Sequence, residues 1–73
     1  MKIFIKTCFG KTLTLEVDKH IMISELKLQI KEQTDIAVGQ QNIVYLTEVL
    51  KDGESLDYYN IKDGYTIYLT ILK

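Results

Sequence analysis

The feature that most constrains this chain is a change of hydrophobic period near residue 20. Residues 1–7 alternate, with Met1, Ile3 and Ile5 on one side and Lys2, Phe4 and Lys6 on the other. Residues 12–17 alternate again, with Leu13, Leu15 and Val17 opposite Thr12, Thr14 and Glu16. Alternation with period two is the pattern of a half-buried strand. The short link holds Gly10, so the pair is expected to form a β-hairpin with a glycine-assisted turn. Ile23, Leu26 and Ile30 then recur at helical spacing, with Ser24, Glu25, Lys27, Gln29, Lys31, Glu32 and Gln33 on the remaining faces. That predicts one amphipathic helix of about three turns. Its start is poorly marked, because Met22 stands where a capping Ser or Asp belongs, and Ser24 is the expected substitute. Asp35 is expected to follow its end, with Gly39 in the loop beyond.

Strand character returns at residues 41–45, with Ile43 and Tyr45 on one face, and Val49 and Leu50 predict a short edge strand. Lys51-Asp52-Gly53 and Lys62-Asp63-Gly64 are turn signals. Residues 65–72 predict a closing strand in which Ile67, Leu69 and Ile71 alternate with Tyr68, Thr70 and Leu72. Four or five strands with one helix make an α+β domain whose helix covers one sheet face. At 73 residues, 47% apolar and 26% charged, the chain has room for a single globular domain spanning residues 1–73.

The same composition narrows the function. Nine cations, all Lys, against ten acids leave a net charge of −1, which argues against nucleic-acid or polybasic membrane binding. Lys2 and Lys6 break any signal-peptide core, and no apolar run approaches the ~18 residues of a membrane span. A single Cys allows no internal disulfide, and a cytoplasmic or nuclear setting is expected. Cys8 and His20 lie in unrelated hairpin and loop segments, so no nucleophilic triad is expected. Asp18 and His20 fall short of the three or four ligands of a closed metal site. Gly10-Lys11-Thr12 imitates the end of a phosphate-binding loop, yet Ile5 occupies the place of its first glycine and a strand follows. Asp52 and Glu54 sit on a turn with nothing to desolvate them. No enzyme, metal or cofactor is expected.

The wording of the chain resembles ubiquitin. Met1-Lys2-Ile3-Phe4-Ile5-Lys6-Thr7 and Gly10-Lys11-Thr12-Leu13-Thr14-Leu15-Glu16-Val17 look like that family's first hairpin. Gln40-Gln41, Leu50, Asp52-Gly53, Leu56, Tyr59-Asn60-Ile61, Thr66 and Leu69 match further along, without a gap. The resemblance implies a ubiquitin-like β-grasp, a mixed four- to five-stranded sheet packed on one helix, with the first and last strands side by side. It also implies that Tyr59 hydrogen-bonds a nearby loop backbone, and that the turn at Leu46 includes a left-handed residue, a costly state for an ordinary side chain. Remodelling of that turn is therefore expected.

The departures shape the functional expectation. Conjugation in the family uses a Gly-Gly tail, whereas this sequence reads Ile71-Leu72-Lys73, with Leu72 where the family has an arginine. Conjugation by the usual route is not expected from these residues. The residues matching the family's recognition patch are Cys8, Val44, Tyr68 and Thr70, with Lys6 beside them and Thr47 replacing a rim glycine. Asn42, Glu48 and Leu72 replace three cations. Phe9 and Leu46 would extend the patch, and Ile21, Met22, Val38 and Tyr58 are further apolar residues without an evident core role. Lys6, Lys11 and Lys27 match lysines used in ubiquitin chains, while Gln29, Gln33, Glu48 and Asp63 replace the others. Lys27 is expected to pack its stem on the helix flank.

The leading expectation is a non-covalent protein-interaction module acting through the sheet face around Val44 and Tyr68. Its partners would be proteins of the ubiquitin system or the proteasome. The domain itself would be a monomer with scope for weak self-association. Two alternatives stand beside it: a modifier whose Gly-Gly follows Lys73, and a ubiquitin-like domain of a larger protein.

Overall fold

The computed structural model describes residues 1–72; Lys73, which entered the reading of the tail, lies outside the described residues. The strands are β1 (Lys2–Thr7), β2 (Thr12–Glu16), β3 (Gln41–Tyr45), β4 (Glu48–Val49) and β5 (Thr66–Ile71), and the one α-helix is α1 (Ile23–Thr34). They form a five-stranded sheet in the order β2-β1-β5-β3-β4. β1 and β5 run parallel, and the other neighbours are antiparallel. This is the mixed β-grasp sheet, with first and last strands side by side as expected.

The alternation in sequence becomes a division between two faces. Ile3, Ile5, Leu13, Leu15, Ile43, Ile67 and Leu69 point inward and meet Ile23, Leu26 and Ile30 of the helix. Leu50, Leu56 and Ile61 complete the core from the segments between β4 and β5. At roughly 25 cal/mol per Å2 of buried apolar surface, each such Leu or Ile contributes about 1.5–3 kcal/mol. Ile21 had no evident core role in the sequence, yet it packs against this cluster.

The helix start differs from expectation. Met22, not Ser24, is the N-cap, and its extended backbone (φ −77°, ψ 150°) precedes the first turn. A thioether is a poor hydrogen-bond acceptor. Glu25 partly compensates by accepting the Met22 N–H at 3.4 Å, and its charge suits the positive helix end. Asp35 ends the helix in a left-handed conformation (φ 62°), its N–H bonded to the Lys31 carbonyl. Two short 3-10 turns, Val38–Gln40 and Asp57–Tyr59, were not foreseen. One turn is too short to leave a periodic signal. The edge strand also lies one residue earlier than Val49 and Leu50 suggested, because Leu50 turns inward and donates its N–H to the Ile43 carbonyl at 2.8 Å.

Other contacts close the domain. Tyr59 Oη accepts the Lys51 N–H at 2.8 Å, as the resemblance implied. Lys27, only 12% exposed, forms a 2.6 Å ion pair with Asp52 that ties the helix to the loop after β4. The turn between β3 and β4 needs a left-handed residue, and Leu46 supplies it at φ 58°. A branched aliphatic residue adopts that conformation at a cost of about 1–2 kcal/mol. Leu46 is also 76% exposed, so little packing offsets the strain. Leu46→Gly is expected to raise stability by roughly 0.5–1 kcal/mol after glycine's own entropy loss. In a thermal melt this is a rise of roughly 4 °C for a domain of this size. An unchanged or lower midpoint would mean that the turn carries no such strain.

Candidate interaction face

Pairing register, rather than chain proximity, assembles the outer sheet face. Thr12 pairs with Lys6, Lys6 with Tyr68, Tyr68 with Val44, and Val44 with Val49. These residues make one row across all five strands. At about 4.8 Å per strand, Lys6 and Val49 lie roughly 14 Å apart. Tyr68 is 46% exposed and Val49 52% exposed, with Val44 half-buried between them. An aromatic ring flanked by two branched aliphatics gives rigid apolar area at low entropic cost.

The remaining candidates surround this row. Thr70 pairs with Asn42 one step along the strands. Asn42 Nδ2 donates to Thr70 Oγ1 at 3.2 Å, and Thr70 Oγ1 donates to the Asn42 carbonyl at 3.4 Å. The Asn42 amide and the Thr70 hydroxyl thus tie the two strands together, and this part of the face is polar. Cys8 is exposed just past β1, its N–H bonded to the Leu69 carbonyl at 3.2 Å. Thr47 is exposed in the turn before β4. Phe9 and Leu46 are both exposed, but strand direction puts them at opposite ends of the face. Phe9 lies in the turn after β1, towards Thr70, whereas Leu46 follows Tyr45 at the other end of β3. They bracket the row instead of widening one side of it.

Val49 was missed as a member of this face. As one of an apolar pair it read only as edge-strand material, and its position opposite Val44 depends on a turn only two residues long. The charge around the row is sparse and uneven. Lys6 lies in the row on β1, whereas Glu48 at the β4 edge pairs with Tyr45 and so lies on the opposite phase from Val49; both are exposed. Neither belongs to an ion pair among the described residues, where the pairs are Met1 with Glu16 and Lys27 with Asp52. Lys11 is exposed in the hairpin turn, while Lys27 is held by Asp52.

An open depression of about 400 Å3 lies between β2, the following loop and the helix, edged by Glu16, Asp18, His20 and Glu25. Its carboxylates already have partners within the chain. Glu16 binds the Met1 ammonium at 3.0 Å, Asp18 accepts the His20 N–H at 2.7 Å, and Glu25 accepts the Met22 N–H. Among the described residues no three His, Cys, Asp or Glu side chains gather as a metal set, and no helix is long and apolar enough to cross a membrane.

Residues 3–73 match the sequence pattern of the Ubiquitin family. The chain belongs to the ubiquitin family. Among relatives of this ubiquitin-family domain, the ubiquitin-like domain-containing protein CIP73 of Lotus japonicus is 36% identical over 69 residues, covering 94% of this chain and 10% of that protein. Ubiquilin of Dictyostelium discoideum is 33% identical over 69 residues, covering 94% of this chain and 13% of the relative. Ubiquitin-like protein 1 of Schizosaccharomyces pombe is 27% identical over 71 residues, covering 97% of this chain and 91% of the relative. The ubiquitin-family domain thus spans about a tenth of the first two relatives and nearly the whole of the third.

Proposed function

We propose that this domain is a non-covalent protein-binding module whose contact surface is the row Lys6–Tyr68–Val44–Val49. The observation that carries the reading is the row itself: three exposed or half-buried apolar side chains made contiguous by register across β5, β3 and β4. Apolar anchors with an aromatic centre are the usual energetic core of an interface. The relatives support a portable unit, since similar sequence occupies a small part of CIP73 and ubiquilin and most of a short ubiquitin-like protein. Proteins of the ubiquitin system, in the cytoplasm or nucleus, are the partners this reading favours.

The rim sets the specificity. Asn42, Glu48 and Leu72 stand where the family resemblance implies cations, so a partner that presents acids to that rim gains only Lys6. A chemical-shift titration with an amphipathic ubiquitin-binding helix tests this at a dilution where the domain is monomeric. Shifts are expected at Lys6, Val44, Val49 and Tyr68, with affinity about tenfold below that of ubiquitin for the same helix. Tyr68→Ala is expected to remove binding. Equal affinity would overturn the altered specificity, and shifts confined to other surfaces would overturn the site. Conjugation is tested separately by a denaturing blot of the tagged gene product expressed from its own locus. A reductant-resistant ladder would establish covalent attachment and a longer encoded tail.

A further inference from the structure

We propose that Tyr45 and Tyr65 form an oxidation site, at which a one-electron oxidant joins the two rings into an intramolecular dityrosine that staples β3 to the entry of β5. Neither residue belongs to the row Lys6–Tyr68–Val44–Val49, and the site is independent of it. Register brings the pair together. Val44 faces Tyr68 across β3 and β5, so one step on Tyr45 faces Ile67, and Tyr65 stands two residues before Ile67 on the same phase. Diagonal neighbours of this kind are about 7–8 Å apart, within reach of aromatic side chains. The two rings lie 5.9 Å apart between centroids, with 21° between their planes. That is an offset stack, in which edges rather than whole faces overlap. Both backbones are fixed. Tyr45 ends β3, while Tyr65 donates its N–H to the Lys62 carbonyl at 3.1 Å and accepts the Phe4 N–H at 3.0 Å. Tyr65 is 39% exposed and Tyr45 half-buried, so an oxidant reaches the pair. Among the described residues neither phenol has a hydrogen-bond partner, whereas the Tyr59 hydroxyl is held by the Lys51 N–H.

The chemistry balances with hydrogen peroxide as the oxidant, acting through a haem peroxidase. Each phenol gives up one electron and one proton, and together these convert one peroxide into two waters. The two phenoxyl radicals carry unpaired density on the carbons ortho to oxygen. Their electrons pair as a carbon–carbon bond, and the two ring protons leave carbon and return at oxygen, restoring both phenols. The product has lost two hydrogen atoms and nothing else. Proximity decides which tyrosines couple, because two radicals held together meet far faster than radicals on separate chains. The other tyrosines are less well placed. Tyr58 and Tyr59 are centred 5.0 Å apart but at 88°, which aims the edge of one ring at the face of the other. Tyr68 lies on the opposite sheet phase from Tyr65, opposite Val44. A bond from Tyr45 to Tyr65 closes the intervening chain into a loop, which raises stability by restricting the unfolded state.

Treating the purified domain, in dilute solution, with a haem peroxidase and hydrogen peroxide tests the site. The expected product is a monomer lighter by two hydrogen atoms, with the blue fluorescence of a biphenol. Cleavage after lysine puts Tyr45 and Tyr65 on different peptides, because Lys51 and Lys62 lie between them. Mass spectrometry of the product should find those two peptides joined. Tyr45→Phe and Tyr65→Phe keep the stacked rings but should each lower the yield of coupled monomer at least about tenfold. Tyr68→Phe, which alters the peptide that also holds Tyr65, should leave the yield within about twofold, as should Tyr58→Phe. The coupled domain should melt roughly 10 °C higher than the untreated one. Coupling found only at doubled mass would overturn the site, as would a Tyr45→Phe or Tyr65→Phe variant that couples like wild type. A coupled monomer with an unchanged midpoint would overturn the staple.

Discussion

Gln41→Glu is expected to lose most of the domain's stability at neutral pH and to regain part of it in acid. Gln41 is 1% exposed, and its Nε2 donates to the Lys27 carbonyl at 2.9 Å and the Ile36 carbonyl at 3.0 Å. Its Oε1 is buried with no protein partner. The amide therefore clamps the helix to the segment that leads into β3. Glutamate has the same shape, but its carboxylate would press two oxygens against those carbonyls and leave a buried charge unpaired. Breaking such a buried arrangement costs about 3–5 kcal/mol. A domain of this length has roughly 4–11 kcal/mol in total.

The pH dependence follows from the same contacts. Burial against carbonyl oxygens favours the neutral acid, so the folded-state pKa of the new glutamate lies above its unfolded value of about 4.3. Between those two values the native state holds more protons than the unfolded state. Stability relative to wild type therefore falls as pH rises from about 4.3 through the folded pKa, and then levels off. Urea denaturation of both proteins between about pH 4 and 8 reads this difference directly. A difference that does not vary with pH would mean that the side chain escapes to solvent.

Gln41 also shows what the sequence made legible and what it did not. The alternation through Gln41, Ile43 and Tyr45 assigns all three to one face, so a polar residue on the core phase was visible. The two carbonyls that need it, of Lys27 and Ile36, come from the middle of the helix and the loop beyond it, and no local pattern announces them. The strands, the helix and most of the core followed from period alone, because Ile, Leu and Val occupy the inward positions with few exceptions. The parallel pairing of Lys6 with Tyr68 spans most of the chain. Family resemblance suggested that β1 and β5 are neighbours, whereas register is a property of the folded sheet. Val49 escaped notice for the same reason. The helix cap was misread because a backbone N–H can be met by the carboxylate of Glu25, three residues on, when the cap side chain cannot serve.

Ile43→Glu and Val44→Glu, adjacent in sequence and identical in chemistry, are expected to fail in opposite ways. Ile43 is fully buried and pairs with Leu69. A glutamate there buries a carboxylate among Leu and Ile side chains and also removes a core contact, at a cost of several kcal/mol. The domain should be largely unfolded at 25 °C by circular dichroism. Val44 is one residue along and on the other face, half-buried between Tyr68 and Val49. Its glutamate can turn towards solvent, so the loss of stability should stay near 1 kcal/mol. Helix binding, however, should weaken by about 30-fold or more, because a hot-spot position now carries a charge that the interface must desolvate. If both variants unfold, Val44 belongs to the core rather than to a surface. If Val44→Glu folds and binds like wild type, the row across β1, β5, β3 and β4 is not the contact site. The separation of folding from binding between two neighbouring residues thus tests whether the period-two division of β3 is also a division between stability and recognition.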